Sequence, residues 1–355
     1  MFHQPNLSQR YQNILKATIK HYIATAEPVG SKILAEEYDL KISPATIRNV
    51  MGRLEEAGLL FQPHISAGRI PSDSGYRIYV DRLITPDEIL SKKLGHSLNK
   101  QLPSEGWSVD TLLQSATKIL AALSGYIALI TFPLTLNNTL LHLQLVRVAS
   151  GQIMLIIVTD SYQTQSLLME SSPFVTDDEE LINSELQILS NFLNSKLKGR
   201  SLTEIASLNW DELDREFAHY ADFLNILTKE LQSLSRPTSA KPIIINGVAR
   251  ALRQPEFSQL EQVQTLLYLL EAEQEQLFSV VFNLPTHNPS RQVTIKIGSE
   301  NPLEPMQTCA LVSAYYYQED RPVGSVSIIG PTRMLYEKAI ALVETTADYL
   351  SETLS

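Results

Sequence analysis

Ser43-Pro44 constrains this chain more than any other local signal, because with Gly58 it brackets one helix of definite length. A serine at the N-cap accepts an N–H bond that the first turn leaves open, and a proline at the first helical position already has helical φ. Glycine belongs where a chain leaves a helix through the left-handed region. Between these marks Ile47, Val50, Leu54 and Ala57 share one stripe, which predicts a buried face. Thr46, Asn49 and Arg53 stand at i, i+3 and i+7 on the opposite face, flanked by Arg48.

The segments on either side supply what that helix needs. Leu7–Thr25 reads as a helix with Tyr11, Ile14, Leu15, Thr18, Ile19 and Tyr22 on one broad face, and Pro28-Val29-Gly30 breaks it. Ser31 stands where it would cap a second helix through Tyr38, burying Ile33, Leu34 and Tyr38, and Asp39–Ile42 makes a tight turn. Two short helices joined by a tight turn, the second polar on its outer face, is the helix-turn-helix layout. Leu59–Pro63 then reads as a strand, His64–Gly68 as a loop and Arg69-Ile70 as the returning strand, which together make a hairpin wing. A helix over Asp73–Leu83 follows, carrying Tyr76, Arg77 and Tyr79.

These residue types suit DNA. Arginine grips guanine bidentately, asparagine pairs with adenine, and threonine meets a phosphate or a thymine methyl. The expected contacts are Ser43, Thr46, Arg48, Asn49 and Arg53 from the helix, with His64, Arg69 and Arg77 from the wing and the segment after it. Arg69, beside the flexible Gly68, is the expected phosphate contact of the wing. A solvated helix face often carries Arg and Asn as well, so the helix alone favours DNA weakly; the wing decides it.

Charge is divided along the chain in a way that permits this. The whole chain carries a net charge of −10, yet residues 1–84 hold ten Lys/Arg against eight Asp/Glu, leaving 19 against 31 for the remainder. Binding depends on the local field and on phosphate contacts, not on the overall charge. No apolar run approaches the roughly 18 residues that cross a bilayer. The N-terminal residues lack the apolar core of a signal peptide. The expectation is a cytoplasmic protein that makes no membrane contact. The single Cys309 leaves no disulfide framework and reads as a small buried hydrophobe. The seven histidines are scattered without metal-ligand spacing, and no nucleophile–base–orienter set can be placed. No cofactor, metal or catalytic residue is expected.

Beyond residue 84 the character changes. Polar stretches with turn residues fall at Thr85–Asp87, Asn99–Asp110, Ser233–Pro242 and Asn283–Ser290. Strands are expected at 126–132, 140–148 and 152–160, the last two joined by a turn at Ala149-Ser150-Gly151. Helices follow, one opened by a capping box at Thr176–Glu179, another by Ser201 and Glu204, and a third running from Phe217 to Leu234. After a helix over Gln259–Gln276, strands return in 277–282, 293–298, 309–317 and 324–330, and a helix over Arg333–Leu354 closes the chain. Strand, then helices, then strand predicts one α+β domain carrying a helical insertion.

The run Ser66–Asp73, with Gly75–Arg77 and Tyr79–Asp81, resembles the heat-inducible transcription repressor HrcA family. Glu27–Ser31, Ser43–Asn49, Leu140–Asp160 and Ile329–Met334 extend the resemblance along the chain. It departs at Ile65, where threonine is expected, at Ser74, where a basic residue is common, and at Val323–Val326, a variant of a more glycine-rich stretch.

The resemblance implies an α+β multidomain repressor. Its parts would be a winged helix-turn-helix at 1–84, a GAF-like α/β domain formed by 85–171 and 259–355, and a mainly helical dimerisation domain inserted at 172–258. It also implies a homodimer on the inverted-repeat operator of heat-shock chaperone operons, kept active by the GroEL chaperonin. A different regulator, controlled by a small ligand in the GAF-like domain, would use the same strands.

Overall fold

The computed structural model describes residues 7–84, 88–101, 108–133, 139–149, 152–159, 164–169, 178–206, 220, 223–227, 229, 243–282, 293–318 and 321–354. The chain divides into two compact units, one formed by Met1–Trp107, Thr111–Phe132 and Pro242–Ser355, the other by Pro133–Lys241 with Ser108–Asp110.

The first unit begins with three helices, α1 (Gln9–Thr25), α2 (Ser31–Glu37) and α3 (Pro44–Glu56). Ile14, Leu15 and Ile19 of α1 and Leu34 of α2 are buried, as are Ile47, Val50, Met51 and Leu54 of α3. The expected start and stop of α3 are both present. The Ser43 hydroxyl accepts the Thr46 N–H at 3.2 Å. Gly58 lies in the left-handed region with φ of 72°, and the Leu59 N–H returns to Leu54 O at 2.9 Å. Three details differ. Gly30 is the N-cap of α2 and Ser31 its first helical residue. Ile33 is exposed, and Met51 takes the buried place expected of Ala57. Adjacent residues of a helix point about 100° apart, so Ile33 and Leu34 cannot both face the same neighbour.

A two-stranded ribbon follows, β1 (Leu60–Phe61) pairing with β2 (Ile70–Pro71) in register Leu60↔Pro71 and Phe61↔Ile70. Its base gains a third chain, because Val29 and Arg69 exchange both backbone hydrogen bonds at 3.0 and 2.9 Å. Gly68 makes that approach possible: a Cβ there would stand 2.4 Å from Val29 O. α4 (Asp73–Ile78) continues as a π-helical turn, Tyr79–Leu83.

Two helices come next, α5 (Glu88–Gln101) and α6 (Val109–Ser124), then β3 (Ile127–Thr131). The remainder of this unit is a five-stranded antiparallel sheet, ordered β7-β3-β10-β9-β8, from β7 (Ile243–Asn246), β8 (Thr294–Ile297), β9 (Cys309–Gln318) and β10 (Arg321–Pro331). The central pairings run Val326↔Ile130 and Val326↔Ala314. Every residue of β3 is buried, as a strand covered on both faces requires. Ile127, Leu129, Leu311 and Ile329 share a core with Leu266, Leu269, Leu277 and Val281 of the helices Leu260–Glu271 and Gln274–Val281. The helix Tyr336–Leu354 packs on β9, β10 and α5. Cys309 is buried, and burial pushes its thiol up to about 11. Of the three tyrosines in β9, Tyr316 is fully buried and donates to Thr131 O at 2.7 Å.

The second unit has its own three-stranded sheet, β4-β5-β6, from β4 (Leu140–Ala149), β5 (Gln152–Thr159) and β6 (Thr164–Met169). One face buries Leu143, Leu145, Leu155 and Ile157 against Leu186, Leu189 and Leu193 of α7 (Glu179–Leu197). The free edge of β4 is satisfied by the same helix. Asn194 accepts from Leu143 N at 2.8 Å and donates to Leu143 O at 2.6 Å, and Ser190 accepts from Leu145 N at 3.0 Å. Edge groups bonded in this way cannot template another strand. The second capping box is present with both halves: Glu204 N donates to Ser201 Oγ at 3.1 Å and Ser201 N to Glu204 Oε2 at 3.0 Å.

The expected boundaries move. The strands at 140–169 pair with one another and not with the five-stranded sheet, so the chain leaves the first unit at 132/133 instead of 171/172. It returns at 241/242 instead of 258/259, and β7 is the returning strand. The helices of 1–84 cluster with the five-stranded sheet. Alternating apolar residues specify which face of a strand is buried, not which sheet it joins. Residues 277–282, expected as a strand, close the helix Gln274–Val281 instead. A short run apolar on all sides fits a buried helix as well as a buried strand. The cap of α7 is Asp178, which accepts from Glu180 N and Leu181 N at 3.0 and 3.3 Å. The Thr176 expected there, the Ser150-Gly151 turn and most of the expected helix Phe217–Leu234 lie outside the described residues.

Candidate nucleic-acid interface

The outward face of α3 is built by what its inward face buries. With Ile47, Val50, Met51 and Leu54 in the core, Arg48, Asn49 and Arg53 are left exposed and Thr46 half-buried. These side chains differ in how far they are committed. Ser43 and Thr46 are occupied with capping, their hydroxyls 3.0 Å apart. Arg53 donates to the Tyr11 hydroxyl of α1 at 3.3 Å, which holds the guanidinium at one end of the face. Arg48 and Asn49 are both exposed and form no hydrogen bond or ion pair among the described residues. A guanidinium and a carboxamide held on one exposed helix face can read base edges and grip phosphates.

The other three expected contacts are placed differently. His64 is exposed on the ribbon loop, as expected. Arg69 sits at the base of the ribbon, not its tip, and its side chain turns back onto α3. Its Nε and Nη2 reach Glu55 Oε2 at 2.9 and 2.8 Å. The guanidinium lies over Gly52, 3.9 Å from where a Cβ would stand. With only 18 % of the side chain exposed, Arg69 clamps the ribbon to the helix and is not a free phosphate contact.

Arg77 faces away from α3, into the five-stranded region. It grips Glu300 with two nitrogens, donates to Ile295 O at 2.7 Å and pairs with Asp81 at 3.2 Å. Bidentate contact with Glu300 raises its pKa further and keeps it charged. Around it Asp73 accepts from the N–H and hydroxyl of Ser299 at 3.0 and 3.1 Å, and Tyr79 donates to Glu337 at 2.6 Å. On another side Arg333 grips Glu256 and donates to Gln254 at 3.1 Å and to Ile23 O of α1 at 3.2 Å. These clasps tie α1, α4 and the turn after α4 to the five-stranded region.

Sequence reasoning missed Glu55, Tyr11 and Glu300, the partners that decide which arginines are free. Glu55 stands three residues after Gly52 on the helix, but nothing in the spacing links it to Arg69. Glu300 lies more than 200 residues from Arg77, beyond any local signal.

The fold and this face define a mixed α/β protein of two compact units, the first presenting an exposed Arg/Asn helix face beside a β-ribbon. Residues 110–340 match the family model described as HrcA protein C terminal domain. Along its length the chain is 56 % identical to the heat-inducible transcription repressor HrcA of Trichormus variabilis, covering 99 % of this chain and 100 % of the relative. It is 50 % identical to the protein of the same name from Synechocystis sp., covering 98 % of each. A crystal structure titled only as that of a hypothetical protein superposes with a TM-score of 0.62 at 22 % identity, covering 98 % of this chain and 99 % of that one, which speaks to the fold alone. The chain belongs to the heat-inducible transcription repressor HrcA family.

The geometry separates arginines tied into the fold from those left exposed. Arg77→Ala leaves the half-exposed Glu300 and Asp81 and the Ile295 carbonyl without their donor and is expected to lower stability by about 1–2 kcal/mol. Measured below its unfolding transition, the variant should keep DNA affinity near wild type. An unchanged unfolding curve with a large loss of DNA affinity would make Arg77 a DNA contact after all.

Proposed function

We propose that the chain is a DNA-binding transcriptional repressor of heat-shock chaperone operons. In this reading the module at 1–84 is a winged helix-turn-helix, the five-stranded region a GAF-like domain, and residues 133–241 an inserted dimerisation domain. The observation that carries it is the pair Arg48 and Asn49, exposed and uncommitted on α3 while the neighbouring polar groups are tied down. The two side chains would enter the major groove and specify one half-site.

An inverted-repeat operator needs two such heads, so the active form is a homodimer. The surface of the second unit supports this. On the sheet face opposite α7, Val146, Met154 and Leu168 form one cross-strand row, with Val146 40 % and Leu168 46 % exposed. Apolar residues adjacent in this number are what a self-complementary interface buries.

Family membership also supports a chaperonin-dependent active state. A marginally stable repressor that the GroEL chaperonin returns to its folded form would follow free chaperonin, and repression would lapse when damaged protein occupies it. β5, with Ile153, Leu155 and Ile157 buried at the centre of its sheet, is a segment that would bind such a chaperone while unpaired.

Three outcomes test the reading. Arg48→Ala should weaken operator binding by about 1–3 kcal/mol and relax specificity at one position, read by fluorescence anisotropy on matched and mismatched duplexes. Arg48→Ala and Asn49→Ala that both bind as wild type would remove α3 as the reader. Leu168→Asp should shift sedimentation toward the monomer and leave the fold intact; an unaltered dimer would move the interface elsewhere. Chaperonin with ATP should raise the operator-competent fraction of purified protein at heat-shock temperature. A fraction already full without chaperonin contradicts the coupling.

A further inference from the structure

The ribbon that should meet DNA carries no lysine or arginine where it projects, and His64 is its one titratable side chain. Residues 61–68 contain no Lys, Arg, Asp or Glu, and Arg69, the cation next to them, is spent on Glu55. What the loop does project is Ile65, with a relative exposure of 101 %. The next most exposed large hydrophobics described, Leu260 and Ile89, reach 71 % and 70 %. A β-branched side chain fully in water gains nothing for the fold, and burial against an apolar surface would be favourable.

The backbone beneath Ile65 is nonetheless firmly built. The Gln62 carboxamide donates to Ile65 O at 3.0 Å and to Ala67 O at 2.8 Å, so one side chain spans the loop. Ala67 N closes the turn onto His64 O at 2.9 Å. The Phe61↔Ile70 pairing and the Val29–Arg69 bridge hold the base. A loop with two carbonyls tied to one amide presents Ile65 in a defined direction.

We propose that Ile65 is the ribbon's DNA contact, an apolar tip seated in the minor groove, and that Gln62 is the residue that positions it. The inference rests on the DNA-binding reading above. The minor groove is lined by sugar faces, and apolar wedges entering it press on sugars and base edges without neutralising phosphates. Phosphate contacts release counterions and steepen the dependence of affinity on salt, by about 0.9 in slope for each phosphate neutralised. An isoleucine contact releases none, so its contribution should be the same at every salt concentration. Removing it costs affinity and leaves the slope alone.

The experiment uses the full-length chain and a duplex carrying the inverted repeat upstream of a chaperone operon, titrated by anisotropy over a range of KCl. Ile65→Ala should bind roughly 5- to 20-fold more weakly with the wild-type salt slope. Ile65→Lys should recover affinity at low salt with a slope steeper by about 1. Gln62→Ala should match the loss of Ile65→Ala, and the double variant should lose no more than either, because both remove one contact. Changing flanking G·C pairs to I·C deletes only the minor-groove amino group; it should tighten the wild type and leave Ile65→Ala unchanged. Wild-type affinity in Ile65→Ala, a loss accompanied by a shallower slope, or additive losses in the double variant would each overturn the proposal. If wild type itself does not bind the duplex and Arg48→Ala is no different, the DNA-binding reading fails. Wild-type binding with an indifferent Ile65 sinks this inference alone.

Discussion

Arg69 holds the reading surface together with two separate sets of bonds. Its backbone exchanges hydrogen bonds with Val29, which ties the ribbon to the link between α1 and α2. Its side chain reaches Glu55, which ties the same ribbon to α3. The first depends on the small residue beside it, since Gly68 lets the Val29 backbone approach. An arginine that joins three segments in this way costs the surface one free cation. In exchange the ribbon stands at a set distance from the helix, and a two-stranded ribbon of two residues a side could not keep that position unaided.

The same economy recurs where the helices meet the sheet. Arg77 and Arg333 reach acidic partners and backbone carbonyls across the junction, and Asp73 and Tyr79 add further links. Such contacts are directional, so they fix orientation more than they add stability. For a DNA-binding repressor, orientation is the quantity that matters, since a helix that meets DNA must be presented to it at a fixed angle. Arg69 and Arg77, cations of the type that contacts DNA, are therefore held by partners within the protein, while Arg48 and Asn49 stay exposed and uncommitted.

Much of this was legible in the sequence where the signal is local. Ser43-Pro44 and Gly58 marked both ends of α3 because caps act through adjacent backbone groups, and the Ser201–Glu204 box worked for the same reason. The exposed face of α3 followed from its apolar spacing. What could not be read was pairing at a distance. Arg69 and Arg77 have the right type and the right neighbourhood for DNA, and only their partners, 14 and 223 residues away, reveal a structural task. The strands of 140–169 showed their buried face but not their sheet, and 277–282 showed burial without a period that separates helix from strand.

The claim at the centre of this account is that DNA meets the chain at the outward face of α3 and at the ribbon loop, with Arg69 and Arg77 held inside the protein. Hydrogen–deuterium exchange on the full-length chain, with and without an operator duplex, tests it directly. New protection over residues 44–53 and 62–67 is expected on adding DNA, with exchange around Arg77, Glu300 and β8 unchanged. Protection that appears instead around Asp73–Asp81 and Ile295–Glu300, with α3 unaffected, would contradict it.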